Sequence, residues 1–257
     1  MESQKSLLRL KLFKEPDYSN TLNHMLQLFK TKLSKKTKLT SSVFLFHFDI
    51  LGNKRLNFKA GQYVILKIKD KTRLYSIASS QDKKDNFELI IELIPNGVGS
   101  TYFKNLKVGD ISEFQAPAGV FTLRKNNENI MFLATGVGIV PIRSMLRHVN
   151  NLKQIYLFWG LKTLKDIYLF NEFKKIQKEN KNFHFKICLS REKDLLKIND
   201  EDKQCFSIGR INRQLNKLNN LNNFCFYLCG GVIIVESLKQ ELIKKGINES
   251  KIISEKY

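Results

Sequence analysis

The periodicity of the apolar residues changes once along this 257-residue chain, near the polar stretch RKNNEN at 124–129. Before that stretch, short runs alternate apolar with polar residues and are separated by Gly, Asn, Asp and Pro, as in a small antiparallel barrel. After it, apolar strands alternate with segments of helical length, which is typical of a parallel sheet covered by helices on both faces. Neither half would bury the polar stretch, so the sequence predicts two domains that meet there.

The expected domain boundaries follow this change of pattern. We place an antiparallel β-barrel at residues 23–125 and an α/β domain with a parallel sheet at 126–257, and we leave residues 1–22 unassigned. Barrel strands are expected at 41–50, 61–70, 73–79, 87–94 and 110–117, with one helix at 99–106 capped by Ser100 or Thr101. In the second domain we expect strands at 130–134, 154–160, 183–190, 224–230 and 251–257, and helices at 141–151, 164–180, 211–220 and 232–246.

The net charge of +20 is the feature that most favours a nucleic-acid partner. It is spread evenly, because residues 1–124 carry 21 Lys and Arg against 11 Asp and Glu, and residues 125–257 carry 23 against 13. The one local concentration is KTKLSKKTK at 30–38, which we interpret as a solvated loop beside a strand, with a docking patch for an acidic protein as the alternative. No basic helix is interleaved with aromatic residues, so we do not expect nucleic-acid binding.

The positions of the apolar residues, cysteines and histidines argue against a membrane protein, a disulfide-bonded protein and a metal-binding protein. No segment approaches the roughly 18 apolar residues of a membrane span, and the N-terminus lacks a signal-peptide pattern, so we expect a cytoplasmic protein without membrane association. The four cysteines lie in the last third without a CxxC pair, which argues against a disulfide scaffold or a zinc site. The four histidines lack metal-ligand spacing. We expect a monomer with reduced thiols and no metal.

Two glycine-rich turns follow predicted strands and precede helices: TGVGIVP from Thr135 to Pro141, and CGG from Cys229 to Gly231. Free amides and the helix dipole at such turns attract anions, and the carboxyl ends of parallel strands share one crevice. The turns therefore predict a nucleotide site, although Pro141 replaces the third glycine of GxGxxG, and glycines that serve only turn geometry are the alternative. Cys229 taken alone would more often be a small buried hydrophobic residue.

Three arginines and one tyrosine are further candidates for ligand-binding residues. In KTRLYSIASS at 71–80, an extended chain puts Arg73 and Tyr75 on one face, with small residues following. LSRE at 189–192 ends a strand with Arg191, and GR at 209–210 precedes a helix with Arg210. Arginine binds phosphate in a bidentate manner, although a lone surface arginine more often serves solubility.

Eight motifs in order carry a family resemblance. They are RLYS, GVGSTYF, the GD that precedes APAGVFTL, ATGVGIVP, LSRE, GRI, YLCGG and a final EKY. Each alone is weak, but at this spacing the set resembles the ferredoxin/flavodoxin NADP(+) reductase family over about residues 40–257.

The resemblance implies that the barrel binds FAD. Arg73 matches a contact to the FAD pyrophosphate, Tyr75 a ring stacked on the isoalloxazine, and Ser76 a residue at the reactive edge of the flavin. The small residues after Ser76 would let the cofactor approach the backbone. The full set of matched FAD positions is Arg73, Leu74, Tyr75, Ser76, Gly99, Ser100, Thr101 and Tyr257, of which Gly99 to Thr101 match a helix start that receives the pyrophosphate.

The resemblance also implies that NADP(H) binds the second domain. Ser190 and Arg191 match positions that hold the adenosine 2′-phosphate, and Arg210 matches a further contact. This favours NADPH, because an NADH enzyme would more often place an acidic residue on the free 2′-hydroxyl. The other matched positions are Thr135, Gly136, Gly138, Pro141, Cys229 and Gly230. The chain departs from the family where GRIN replaces an adenine-stacking tyrosine and where GVIIVES lacks the usual proline and methionine.

The implied reaction is hydride transfer between NADPH and FAD, followed by release of single electrons to an acidic ferredoxin or flavodoxin. Ser76, Cys229 and Glu255 match positions around the reacting atoms. Tyr257 matches an aromatic residue that covers the flavin and moves aside for the nicotinamide, and an aromatic that merely packs is the alternative. We therefore expect these four residues to be catalytic.

Other functions stay open at this stage. A general NAD(P)H-dependent flavin oxidoreductase, or the reductase component of an oxygenase, would share both domains and differ in the acceptor. A scaffold that binds FAD without turnover and a non-catalytic basic binding protein are more distant alternatives. A C-terminal iron-sulfur cluster is disfavoured, because the C-x4-C-x2-C spacing is missing.

Overall fold

The structure is a computed structural model that describes residues 26–125, 128–149 and 152–257. The unassigned residues 1–22 lie outside the described residues, as do positions 23–25 of the expected barrel domain. Within the described ranges, no helix has both the length and the apolar character needed to cross a membrane.

Six strands form an antiparallel sheet in the N-terminal half. They are β1 Gln27–Lys38, β2 Val43–Ile50, β3 Tyr63–Ile68, β4 Lys71–Ser76, β5 Asn86–Glu92 and β6 Ile111–Ala118. The spatial order is β4-β3-β6-β1-β2-β5, and a bridge between Ile77 and Leu89 brings the two edges together. Buried rings, among them Phe46, Phe48 and Phe114, fill the interior. The predicted antiparallel barrel is confirmed.

Strand β1 corrects the interpretation of the lysine-rich stretch 30–38 as a loop. Phe29, Thr31 and Leu33 point into the barrel, while Lys30 and Lys32 point outward between them. The hydroxyl of Thr31 donates to the carbonyl of Ser112 at 3.0 Å, so its burial leaves no unmet donor. The alternation typical of a strand was present in the sequence, but lysines filled its solvent face.

Helix α1, Val98–Asn105, connects β5 to β6. Gly97 is its N-cap, so the prediction that Ser100 or Thr101 caps the helix is wrong. The hydroxyl of Ser100 instead accepts a hydrogen bond from the amide of Ile94 at 2.9 Å. At the other end, the ammonium of Lys36 donates to the carbonyls of Phe103, Lys104 and Leu106 at 2.9, 2.9 and 3.1 Å. One lysine of the 30–38 stretch therefore closes the C-terminus of α1, where a cation is favoured.

The C-terminal half contains a parallel sheet of six strands in the order β10-β9-β8-β7-β11-β12, which confirms the predicted α/β domain. The strands are β7 Asn129–Thr135, β8 Ile155–Leu161, β9 Phe183–Leu189, β10 Phe206–Ile208, β11 Phe224–Gly230 and β12 Ile252–Lys256. The helices are α2 Ile139–Leu146, α3 Phe170–Glu179, α4 Asp200–Lys203, α5 Asn212–Leu215 and α6 Val232–Lys244.

All four predicted helices of this half are shorter than expected, and two of them differ most. The segment 164–180 begins with a single 3-10 turn at Leu164–Asp166, and Leu169 in the left-handed conformation, with φ 61°, separates that turn from α3. The predicted helix 211–220 is reduced to α5. The short strand β10 was not predicted, and it adds an edge beside β9.

Candidate functional site

Strand β4 and the start of α1 face each other on the surface of the barrel. A methyl group on Gly99 would lie 2.0 Å from the hydroxyl of Tyr75 and 3.7 Å from Cγ of Arg73, so both side chains lie on the face that meets α1. Leu74 points the other way and is 55% exposed. The predicted shared face of Arg73 and Tyr75 is confirmed, and glycine at 99 is required because any side chain would collide with the tyrosine.

Tyr75 is held in a defined orientation. Its ring packs edge-on against Phe103 of α1, with 4.9 Å between the ring centroids. Burial raises the pKa of Tyr75 to about 12, so the phenol is neutral over the physiological pH range. The neighbouring Arg73 is exposed, and its guanidinium donates to the carbonyl of Thr72 at 2.8 Å, its one hydrogen bond to the described residues.

This corner can bind an anion. The first amides of α1 have no partner within the helix, and they point out of its N-terminus with the positive end of the helix dipole. Gly97 and Gly99 keep that end free of bulky side chains, and Arg73 adds a cation beside it. The arrangement fits the pyrophosphate of FAD. Beyond it lies a cavity of about 580 Å³, whose lining includes Lys69, Asp70, Lys71, Asn96 and Thr101.

Three predicted catalytic residues meet where the two domains join. Ser76, at the end of β4, lies beside Glu255 on β12, and its hydroxyl can donate a hydrogen bond to that carboxylate. Glu255 lies beside Cys229 in the register of β11 and β12. Burial raises the pKa of Glu255 to about 7, against which the Ser76 hydrogen bond acts. Burial, and then the Glu255 carboxylate, hold the pKa of the Cys229 thiol well above its usual range.

The two glycine-rich turns lie side by side at the carboxyl ends of β7 and β11. A methyl group on Gly138 would lie 2.1 Å from the carbonyl oxygen of Cys229, and one on Gly230 would lie 2.0 Å from Oγ1 of Thr135. Both glycines are therefore needed for close packing between the turns. The expectation that the turns share one crevice is confirmed by the pairing of β7 with β11.

A cleft of about 710 Å³ opens in front of these turns, between the barrel and the parallel sheet. Its lining includes six residues singled out from the sequence: Thr135, Gly136, Ser190, Arg191, Arg210 and Tyr257. Gly138, Pro141, Cys229 and Gly230 do not line it, since they are buried behind its wall. The carbonyl of Gly136 accepts from the indole of Trp159 at 2.9 Å and from the hydroxyl of Tyr168 at 3.4 Å, which holds the first turn in place.

Tyr257 lies inside this cleft. Its hydroxyl donates to the carbonyl of Thr135 at 2.7 Å, and its amide donates to the carbonyl of Gly230 at 3.3 Å. The residue as a whole is 58% exposed, but its hydroxyl end is enclosed, and burial there raises the pKa of the phenol. Tyr257 is therefore attached to both glycine turns. Its predicted position over the flavin stays a prediction.

The structure adds cleft residues that the sequence did not single out. Lys162 follows the carboxyl end of β8, and Glu92 ends β5 on the barrel side. The signal that could have found Lys162 was present, because the residues that follow parallel strands face the same crevice. Glu92 comes from the other domain, and no local pattern connects it to the cleft.

Sequence comparisons agree with this division of the chain. The sequence model of the oxidoreductase FAD-binding domain matches residues 30–123, and that of the oxidoreductase NAD-binding domain matches residues 132–240. A CDP-6-deoxy-L-threo-D-glycero-4-hexulose-3-dehydrase reductase of Yersinia pestis is 28% identical, covering 79% of this chain and 60% of that protein. The anthranilate 1,2-dioxygenase electron transfer component of Acinetobacter baylyi is 30% identical, covering 85% of this chain and 64% of that protein. The chain thus spans under two thirds of the length of these relatives.

Solved structures share the fold. The Amycolatopsis cytochrome P450 reductase GcoB superposes with a TM-score of 0.80 at 23% identity, over 90% of this chain and 70% of that chain. A ferredoxin NADP+ reductase from Neisseria gonorrhoeae, with bound FAD and NADP, has a TM-score of 0.74 at 19% identity, over 89% of this chain and 98% of that chain.

The two domains define a flavin- and pyridine-nucleotide-binding oxidoreductase architecture. The chain belongs to the oxidoreductases that combine this FAD-binding domain with this NAD-binding domain, and it shares its fold with ferredoxin reductase-type structures.

Proposed function

We propose that this protein takes hydride from NADPH onto FAD and passes single electrons to an acidic ferredoxin or flavodoxin. The observation that carries the proposal is the meeting of Ser76, from the barrel, with Glu255 and Cys229, from the parallel sheet, beside the cleft. A flavin held along β4 and a nicotinamide in the cleft would both reach this point. Residues from each cofactor domain are already in contact there.

The chain's residues bind and orient the cofactor. A bound FAD supplies hydride acceptance and one-electron release. Arg73 and the first turn of α1 would hold its pyrophosphate, Tyr75 would lie against its ring, and the 580 Å³ cavity beyond α1 would take its adenosine half. Burial raises the pKa of Glu255 to about 7, so this carboxyl group could hold or release a proton near neutral pH. Ser76 would lie between that carboxyl group and the flavin edge.

The preference for NADPH is supported by the charges that the cleft leaves available. Asp166, which lines the cleft, accepts from the amide of Thr163 at 2.8 Å, and Glu192, next to Arg191 in the sequence, accepts from the amide of Leu164 at 2.8 Å. Within the described residues, the side chains of Lys162, Arg191 and Arg210 have no hydrogen-bond or ion-pair partner, and all three line the cleft. A 2′-phosphate would be attracted by these cations.

The first test is the visible spectrum of the purified protein, repeated anaerobically with one equivalent of NADPH or of NADH. We expect flavin bands, FAD rather than FMN released on heating, and faster bleaching with NADPH. Faster bleaching with NADH would overturn the nucleotide assignment alone. A protein that stays colourless after FAD is added would overturn the proposed function.

A second candidate acceptor is the oxygenase component of a multicomponent oxygenase. It is favoured by the 30% identity to the anthranilate 1,2-dioxygenase electron transfer component. The two acceptor classes are separated by measuring reduction of a ferredoxin, a flavodoxin and an isolated oxygenase component by the same protein. An acidic acceptor steered by the +20 charge gives rates that fall steeply with salt, while reduction of a small artificial acceptor changes little. Equal salt responses would contradict electrostatic docking.

We also propose a domain boundary between residues 125 and 126, a monomeric state and a cytoplasmic location. Limited proteolysis tests the boundary, light scattering tests the monomer, and fractionation of the source cells tests the location.

A further inference from the structure

Helix α2 is fastened to the chain segment that directly follows β4. Arg143 donates to the carbonyl of Ala78 at 2.9 Å, and the hydroxyl of Ser144 donates to the carbonyl of Ser79 at 2.6 Å. All four residues are buried, and Ala78, Ser79 and Ser144 have no solvent exposure. Two hydrogen bonds, at neighbouring positions, thus join the parallel-sheet domain to the barrel.

These contacts connect the two halves of the candidate site by a short path. Ala78 lies two residues after Ser76, at the proposed flavin edge, and Arg143 lies one turn into the helix that follows the glycine turn of the cleft. The amide of Ala78 also donates to the carbonyl of Glu88 at 2.8 Å, which fixes the segment to β5. A displacement of α2 would therefore move the nucleotide turn relative to the flavin strand.

The side chain of Arg143 is itself held from both sides. It donates to Glu88 of the barrel at 2.6 Å and, through Nε, to both carboxylate oxygens of Glu172 of α3 at 3.0 Å. Charge-assisted, multidentate contacts of this kind restrict geometry more than a single neutral hydrogen bond. Arg143 is thereby placed with little freedom to shift.

Fixed geometry between the two sites matters for the proposed reaction. Donor and acceptor atoms react efficiently only when they lie roughly 3–3.5 Å apart and aligned, and a misplacement of about 1 Å can cost on the order of 10²-fold in rate. We propose that Arg143 and Ser144 are positioning residues that set the separation of the nicotinamide and flavin sites. This inference rests on the proposed function and adds two residues that the family motifs did not mark.

The test compares Ser144→Ala and Arg143→Lys with wild type, using Arg147→Met as the matched control. Arg147 also bonds Glu172, at 3.0 Å, but within the described residues it makes no hydrogen bond or ion pair to the barrel. For each protein we would measure the FAD content, the Tm, the Kd for NADPH, the rate of flavin bleaching in stopped flow, and the charge-transfer absorbance with bound nucleotide.

We expect both variants to keep FAD and to bind NADPH within about 2-fold of wild type. The bleaching rate should fall about 10-fold in Ser144→Ala and up to about 10²-fold in Arg143→Lys, with weaker charge-transfer absorbance. Arg147→Met should match wild type. If Arg143→Lys does not fold, Ser144→Ala decides the question.

Two results would overturn the proposal. One is unchanged bleaching in Ser144→Ala with FAD retained, and the other is a slower rate that comes entirely from weaker NADPH or FAD binding. The proposed function itself is tested separately, by whether NADPH or NADH bleaches the flavin absorbance of the wild-type protein. A wild type that bleaches while Ser144→Ala bleaches equally fast overturns only the positioning role, whereas a wild type that binds FAD and is bleached by neither nucleotide overturns both.

Discussion

Two groups of charged residues at the junction of the domains differ in one respect, which is whether they have partners. We call Arg143, Glu88 and Glu172 the clamp, in which the buried Arg143 bonds the buried Glu88 and the partly buried Glu172 at 2.6–3.0 Å. The cleft cations Lys162, Arg191 and Arg210 have no such partners within the described residues. Removing a charge should therefore have different consequences in the two groups. In the clamp it should lower the free energy of unfolding, and in the cleft it should weaken ligand binding.

The direction of the pKa shifts agrees with this difference. Glu88 pays a desolvation cost that would raise its pKa, but the Arg143 guanidinium outweighs it and lowers the pKa of that carboxyl below its usual value. Arg143 is likewise desolvated, and Glu172 and Glu88 raise its pKa. The clamp charges are mutually stabilised in the folded chain without any ligand.

The largest expected effect comes from breaking the clamp. Arg143→Met would remove the cation that Glu88 and Glu172 share, leaving Glu88 with its longer contacts to His47 and Lys83 and leaving Glu172 with Arg147. Glu88 has only 8% of its side chain exposed. Removing one member of a buried ion pair costs about 3–5 kcal/mol. Urea unfolding should show a loss of that size. Arg191→Met should change the free energy of unfolding by less than about 0.5 kcal/mol, and similar losses in both variants would erase the distinction drawn here.

Glu255 is an intermediate case, because it is largely buried but bonded to a hydroxyl rather than a cation. Its pKa is about 7 in the folded protein, above the model-compound value of 4.5. Its stabilising contribution is therefore full below about pH 4.5 and is lost as the pH rises through 7. Relative to wild type, Glu255→Gln should gain about 3 kcal/mol of unfolding free energy between pH 4 and pH 8, since one pKa unit is about 1.4 kcal/mol.

The check on Glu255 is a series of urea titrations across that pH range. Glu113→Gln, at an exposed position of β6, serves as the control. A Glu255→Gln curve parallel to that of wild type would show that the carboxyl group titrates normally.

A smaller effect is expected from the cleft cations. Arg191→Ala should weaken NADPH binding by about 1.5–3 kcal/mol, the usual value of a hydrogen bond to a charged group, while NADH binding stays unchanged. Nucleotide titration of the flavin absorbance measures both constants. Lys193→Ala, an exposed neighbour that does not line the cleft, should alter neither. Equal losses for NADPH and NADH would place Arg191 on a part of the nucleotide that both share.

The smallest effect concerns Tyr257, whose hydroxyl donates a hydrogen bond to the backbone carbonyl of Thr135 in the first glycine-rich turn. Tyr257→Ser should increase the use of NADH relative to NADPH, because the ring no longer competes for the cleft. Tyr257→Phe removes only the hydrogen bond to Thr135, worth about 1 kcal/mol, and should give about a 5-fold change at most. Stopped-flow bleaching with each nucleotide measures this, and an unchanged ratio in Tyr257→Ser would show that the ring does not block the nicotinamide.

Local patterns in the sequence were enough for much of this description. Alternation predicted the shared face of Arg73 and Tyr75, and the placement of glycines after strands predicted that the turns at Gly136 and Gly230 converge. Both predictions depend on periods of a few residues, which a single sequence displays directly.

Features that depend on distant partners could not be predicted in the same way. Arg143 and Glu88 are separated by 55 residues, and Arg143 and Glu172 by 29, so no local pattern marks the clamp. Strand β1 was not predicted because lysines fill its solvent face, although its inward-facing residues alternate as expected for a strand. Leu169 interrupts an amphipathic segment by adopting a left-handed conformation that its residue type disfavours, so the early start predicted for α3 was wrong.

Strand β12 lies at the edge of the parallel sheet and pairs only with β11 in the described part of the chain. Edge segments with few neighbours are the first to open in native-state fluctuations. Glu255 belongs to this strand, and Tyr257 follows it directly. Brief fraying of these five residues would therefore withdraw Glu255 and the ring of Tyr257 together while both domains stay folded. Amide hydrogen exchange along β12 would then report how often the site is assembled, independently of whether any nucleotide is bound.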